Sequence, residues 1–100
     1  MGVTQQLLEP VGRLDGVLDG RDAPAVREAL YAAVASATPG STCVVDVSGA
    51  TLMDIHFLRA IAVASRHAER VGVRVVLRGG SAAARRCARL AGLSRWIHWD

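Results

Sequence analysis

The chain has 100 residues, enough for one domain with a single core. It is 51% hydrophobic and 21% charged, the make-up of an ordered globular chain and not of a disordered tail. Its net charge of +3 comes from 12 basic residues, all arginine, mixed with nine acidic ones, a balance that argues against nucleic-acid binding.

The first twenty residues read as two short strands, "TQQLLEP" and "VGRLDGVLDG", broken by Pro10 and the glycines. A helix follows in "RDAPAVREALYAAVASATPG". Asp22 stands just before it, Pro24 near its first position, and Val26, Leu30, Ala33, Val34 and Ala37 on one face; Pro39-Gly40 ends it. "STCVVDVS" is a valine-rich apolar run of the kind found in buried parallel strands. Asp54 then looks like the N-cap of a second amphipathic helix, "IHFLRAIAVASRHAERVG", ending at Gly72. Its buried face is expected to be Ile55, Leu58, Ile61, Ala62 and Ser65, with His56, Arg59, Val63, Arg66 and Arg70 on an exposed stripe. "VRVVLR" reads as another strand. "SAAARRCARLAGL" reads as a third helix with Ser81 as N-cap, Gly92 just past its end and Leu93 where a Schellman motif needs an apolar contact. Ala84, Cys87, Leu90 and Ala91 are expected to face the core, and Arg85, Arg86 and Arg89 the solvent. "RWIHW" could close as a final strand. Alternating strands and helices imply parallel pairing with right-handed crossovers, hence a mixed, mostly parallel sheet with about three helices packed on it, in a single domain over residues 1–100.

The longest nearly apolar run, residues 29–37, falls well short of the roughly 20 residues that cross a bilayer. "MGVTQQLL" has neither the charged start nor the apolar stretch of a signal peptide, and Gln6 breaks the myristoylation pattern. A cytoplasmic protein without membrane insertion is expected, and Cys43 and Cys87 are expected to be reduced core thiols.

Chemistry is hard to place on this chain. His56 and His67 share a helix face but lie about 16 Å apart along it, too far to hold one metal ion. Asp46 ends a strand as a receiver phosphoaspartate would, yet the chain has no lysine. No G-x-S-x-G elbow occurs. "RGGSAAA" puts glycines and a serine at a helix start, a feature that a tight turn plus an N-cap explains better than a phosphate cradle. The expectation is a protein that is not an enzyme and needs no cofactor.

From "VVDVSGATLMDIHFLRAIAVASRHAERVGVRVVLRGGSAAARRCARLAGLSRWIHW" the chain resembles a STAS domain, the sulfate transporter and anti-sigma factor antagonist family. Val44-Val45-Asp46 matches the family's strand and Leu52-Met53-Asp54 the approach to its helix. Leu58 and Ile61 match the helix core, Leu90, Gly92 and Leu93 the third helix and its exit, and Gly12 to Asp15 the end of the second strand. The likeness covers roughly residues 10–99 and implies a STAS-like α/β fold. In antagonist members two serines and a glycine follow the aspartate, and phosphorylation of the second serine by an anti-sigma kinase releases the partner. Here those positions are Ile55, His56 and Phe57, so the acceptor hydroxyl is missing.

The resemblance implies a non-catalytic interaction module, an antagonist-like partner of an anti-sigma factor that serine phosphorylation cannot switch at the usual site. Asp54, Ile55, His56, Phe57 and Arg59 would meet the partner, and Ser48 and Thr51 in the preceding loop are candidate substitute phosphoacceptors. An alternative is the cytoplasmic STAS subunit that docks on the ATPase of a lipid-transporting ABC system. A weaker one is a nucleotide- or anion-binding sensor at the N-terminus of the second or third helix.

Overall fold

The computed structural model describes residues 10–100. Strands β1 (Pro10–Arg13), β3 (Thr42–Asp46), β5 (Arg74–Arg78) and β6 (His98–Trp99) lie side by side in that order, and each pairing is parallel. β2 (Gly16–Leu18) and β4 (Ala50–Met53) form a separate parallel ribbon. Three helices link them: α1 (Ala23–Ser36), α2 (Ile55–Arg70) and α3 (Ala82–Leu90).

Because the main sheet grows in one direction, right-handed crossovers stack all three helices on the same face. The core follows from this. Val26, Leu30 and Val34 of α1, Leu58, Ile61 and Ala64 of α2, and Ala84 and Ala88 of α3 close over Cys43, Val45, Val75 and Leu77 of the sheet. The inner face of α2 is lined with small residues, Ala60, Ala64, Ser65 and Ala68, all buried. Small side chains let backbones approach, and α1 and α2 make the most extensive helix–helix contact among the described residues. The edge of the Tyr31 ring meets His67 across the outside of this pair, with centroids 4.8 Å apart.

Two helices end by one mechanism. At α3, Gly92 takes a positive φ of 75°, its N–H donates to the Arg89 carbonyl at 3.1 Å, and Leu93 N–H donates to Ala88 at 2.9 Å. At α2, Gly72 (φ 79°) donates to Glu69 and Val73 to Ala68. Both are complete Schellman motifs, each followed by an apolar residue turned inward.

The expected α/β architecture holds, with three differences. β4 lies where an unpaired loop was expected, and its outer positions, Thr51 and Leu52, are exposed. The last strand shrinks to two residues because Leu93 to Ile97 fold into a turn closed by the Trp96 and Ile97 N–H groups on the Leu93 carbonyl. Asp22 stands just before α1 as expected, and its carboxylate closes the preceding turn by accepting the Asp19 N–H at 2.9 Å. Leu90, expected in the core, is 77% exposed, because Ala84 and Ala88 carry the inner face of α3. The expected strand "TQQLLEP" lies almost wholly outside the described residues. Cys43 is buried and Cys87 half-buried, and both are free thiols. Burial pushes the Cys43 thiol pKa up, which keeps it protonated and unreactive. Among the described residues, no helix is long and apolar enough to cross a membrane.

Candidate functional site

β4 delivers the chain to the first turn of α2, and Asp54 fixes that junction from both sides. Its N–H donates to the Leu18 carbonyl of β2 at 3.0 Å. Its carboxylate accepts the Phe57 N–H at 2.9 Å, the N-cap read from the sequence. The Leu58 N–H on the Asp54 carbonyl then starts the helix.

With the turn fixed, its three side chains diverge. Phe57 points inward and is fully buried, with 0% exposure. It was expected among the partner-facing residues. It instead fills the core because it shares a face with Ile61, Ala64 and Ala68, four, seven and eleven residues further on. His56 points outward and is exposed, as is Arg59 three positions on. The turn between β2 and α1 lies against His56: a Cβ built on Gly20 would sit 3.3 Å from the His56 Cβ. That turn is stiffened by Asp19, which accepts from Arg21 through its backbone N–H (2.9 Å) and its guanidinium (3.0 Å). The Arg21 hydrogen bonds hold the Asp19 carboxyl below its ordinary range.

Ile55, half-buried, faces the other way. With Ala83, Arg86, Cys87, Leu90 and Ala91 it lines an open, mostly apolar cleft of about 460 Å³ between α2 and α3. Leu90, Cys87 and Arg86 were not singled out as site residues from the sequence. Leu90 could have been suspected only from the alanines that already fill the inner face of its helix.

Ser48 and Thr51 are both exposed. The Ser48 hydroxyl is already engaged, donating to the Asp46 carboxylate at 2.6 Å, while its N–H donates to the same oxygen at 2.9 Å. These bonds from Ser48, helped by the charges of Arg13 and Arg78, hold the Asp46 carboxyl below its ordinary range. Behind Ser48 the turn after β5 passes so close that a Cβ on Gly79 would sit 2.6 Å from the Ser48 Cβ. Gly80 is packed just as closely under the Trp99 ring, which also has the Arg85 guanidinium 5.3 Å from its centroid. The two glycines of "RGGS" therefore serve close packing, and Ser81 caps α3 by accepting the Ala84 N–H at 3.1 Å. The starts of α2 and α3 thus each turn an amide onto their own cap, and at α2 that cap is a carboxylate that repels anions. The anion-sensor alternative finds no support in this geometry.

The sequence model of the family described as "Mlab, STAS domain" matches residues 1–98. The chain belongs to this STAS family. Two solved structures share the fold of this STAS domain. The anti-sigma factor antagonist SpoIIAA in its unphosphorylated form aligns with a TM-score of 0.69 and 23% identity, over 88% of this chain and 76% of that one. The Bacillus cell fate determinant SpoIIAA in the phosphorylated form aligns with a TM-score of 0.65 and 21% identity, over 94% and 86%. No curated protein matches the sequence significantly.

Proposed function

We propose that this STAS domain is a non-catalytic, cytoplasmic docking module that acts as an antagonist-like partner of an anti-sigma factor. Its contact surface is the first turn of α2, and serine phosphorylation there does not switch it. The observation that carries the reading is the exposed His56 on a turn held rigid by Asp54 and framed by Gly20. Asp54, Ile55, His56 and Arg59 form the contact, while Phe57 supports it from beneath. A fixed turn loses little entropy on binding, which favours recognition by shape. An imidazole at the tip has no hydroxyl for a serine kinase to use. The apolar cleft beside Ile55 gives a partner's apolar side chain a seat next to the turn.

In the alternative reading the same surface docks on the ATPase of a lipid-transporting ABC system. The two differ only in the partner. Affinity purification with the wild-type protein and with His56→Glu, followed by mass spectrometry, separates them. The first reading expects an anti-sigma kinase with the wild type, lost in the variant, and an unchanged intact mass at residue 56 after incubation with that kinase and ATP. An ABC ATPase in its place selects the second reading. Equal retention by both proteins, or retention of neither partner class, removes the turn of α2 from the function.

A further inference from the structure

The far end of α2 carries a different surface. Arg66 and Arg70 lie ten or more residues beyond His56, about 15 Å or more along the helix axis. With Glu69, Arg95 and Trp96 they line a cleft of about 400 Å³ between α2 and the turn that leads into β6. The Trp96 ring is half-buried against the core, and the backbone beneath it is held by the Trp96 main-chain N–H, which donates to the Leu93 carbonyl at 2.9 Å. The guanidiniums of Arg66 and Arg95 lie 5.7 and 5.0 Å from its centroid. Cation–π contact of this kind orders two long side chains and leaves their N–H forks free to bond a ligand. The cleft's one carboxylate, Glu69, is engaged by His98 at 2.8 Å. Among the described residues, no carboxylate forms an ion pair with Arg66, Arg70 or Arg95.

We propose that this cleft is a second docking surface, for an acidic segment of a protein partner. Three unpaired forks around one aromatic platform match carboxylates, which guanidinium binds in bidentate fashion. Arg66 and Arg70 stand one helical turn apart, about 5–6 Å, the spacing of two acidic residues on one face of a partner helix. Nucleic acid fits less well. Trp96 already has two guanidiniums over its ring, which leaves little of it for a base, and three arginines in one cleft do not make the extended basic track that phosphate-backbone binding uses.

The test is fluorescence anisotropy with a short fluorescein-labelled peptide carrying glutamates at i, i+4 spacing. The full chain is compared with the double variant Arg66→Gln/Arg70→Gln, whose substituted residues are exposed, so folding is checked by a thermal melt. The acidic peptide should bind the wild type, weaken with added salt, and lose roughly tenfold or more in affinity to the double variant. A glutamine version of the peptide should not bind. His56→Glu should bind the peptide as the wild type does, which separates this surface from the first turn of α2. Absence of peptide binding, binding unchanged in a folded double variant, or tighter binding of a single-stranded oligonucleotide through the same arginines would each overturn the proposal.

Discussion

Replacing Phe57 by alanine separates the scaffold of the α2 turn from its surface. The side chain has 0% exposure and belongs to the central core cluster. Returning a phenylalanine side chain to water costs about 1.5–3 kcal/mol in transfer free energy alone. The cavity left behind brings the usual cost of such a truncation to about 3–5 kcal/mol. Domains of this size have a total stability of about 5–15 kcal/mol, so much of it would be lost. At roughly 4–8 °C per kcal/mol, the melting temperature should fall by about 12 °C or more. The Asp54 cap accepts from the backbone N–H of residue 57 and survives the change, so the loss comes from packing. His56→Glu, one position away and exposed, should leave the melting temperature nearly unchanged, since the start of a helix tolerates negative charge. Circular dichroism melts and urea titrations of the two variants decide the matter. A Phe57→Ala protein melting within a few degrees of wild type would refute the assignment of Phe57 to the core.

Ser65 is fully buried and its hydroxyl has no hydrogen-bond partner among the described residues, so Ser65→Ala should stabilise the protein by about 1 kcal/mol; a loss in a urea titration would mean that the hydroxyl finds a bond after all. Gly80→Ala would drive a methyl group into the Trp99 ring, destabilising the fold by about 1–3 kcal/mol and shifting tryptophan emission as the ring is displaced; unchanged emission would count against this packing. Ser48→Ala removes the largest cause of the lowered Asp46 pKa, and a carboxyl NMR titration should show that pKa moving back toward its ordinary value. A carboxyl depressed in the folded state contributes stability above its unfolded pKa and loses it as pH falls through the folded one. The stability gap between Ser48→Ala and wild type should therefore be present at neutral pH and close in strong acid.

Most of the fold was legible because its signals are local and agree with one another. Ser81, Gly92 and Leu93 mark both ends of α3, and each does what the sequence pattern requires. The valine runs around Val45 and Val76 show buried parallel strands before any partner is known. β4 was missed because Thr51 and Leu52 both face solvent, which breaks the inward–outward alternation, and because its only partner among the described strands is the three-residue β2. At the α2 turn two signals competed. Phe57 lies in step with Ile61 and Ala64, and that spacing alone would have put it inside. Its place beside His56 in the first turn, together with the enrichment of aromatic residues at interface anchors, suggested the surface, and helical geometry prevailed. The cleft around Trp96 could not be read from sequence, because Arg66 and Arg95 are brought to one ring only by the packing of α2 against the chain after α3.

The parallel pairing described above has a kinetic side. Among the described strands every pairing is parallel, that of the consecutive β5 and β6 included. Pro10 must find Val44, Cys43 must find Val75, and Val76 must find His98, each across an intervening helix. No hairpin is available to close early and guide the rest, so the entropy of each long loop is lost before its contacts form. Among the described elements only the helices can form locally, and α1 and α2, held close by the alanines along their seam, are the natural first pair on which the strands assemble. Substitutions in that seam should therefore slow refolding, whereas changes in β6 or the turn before it should mainly speed unfolding.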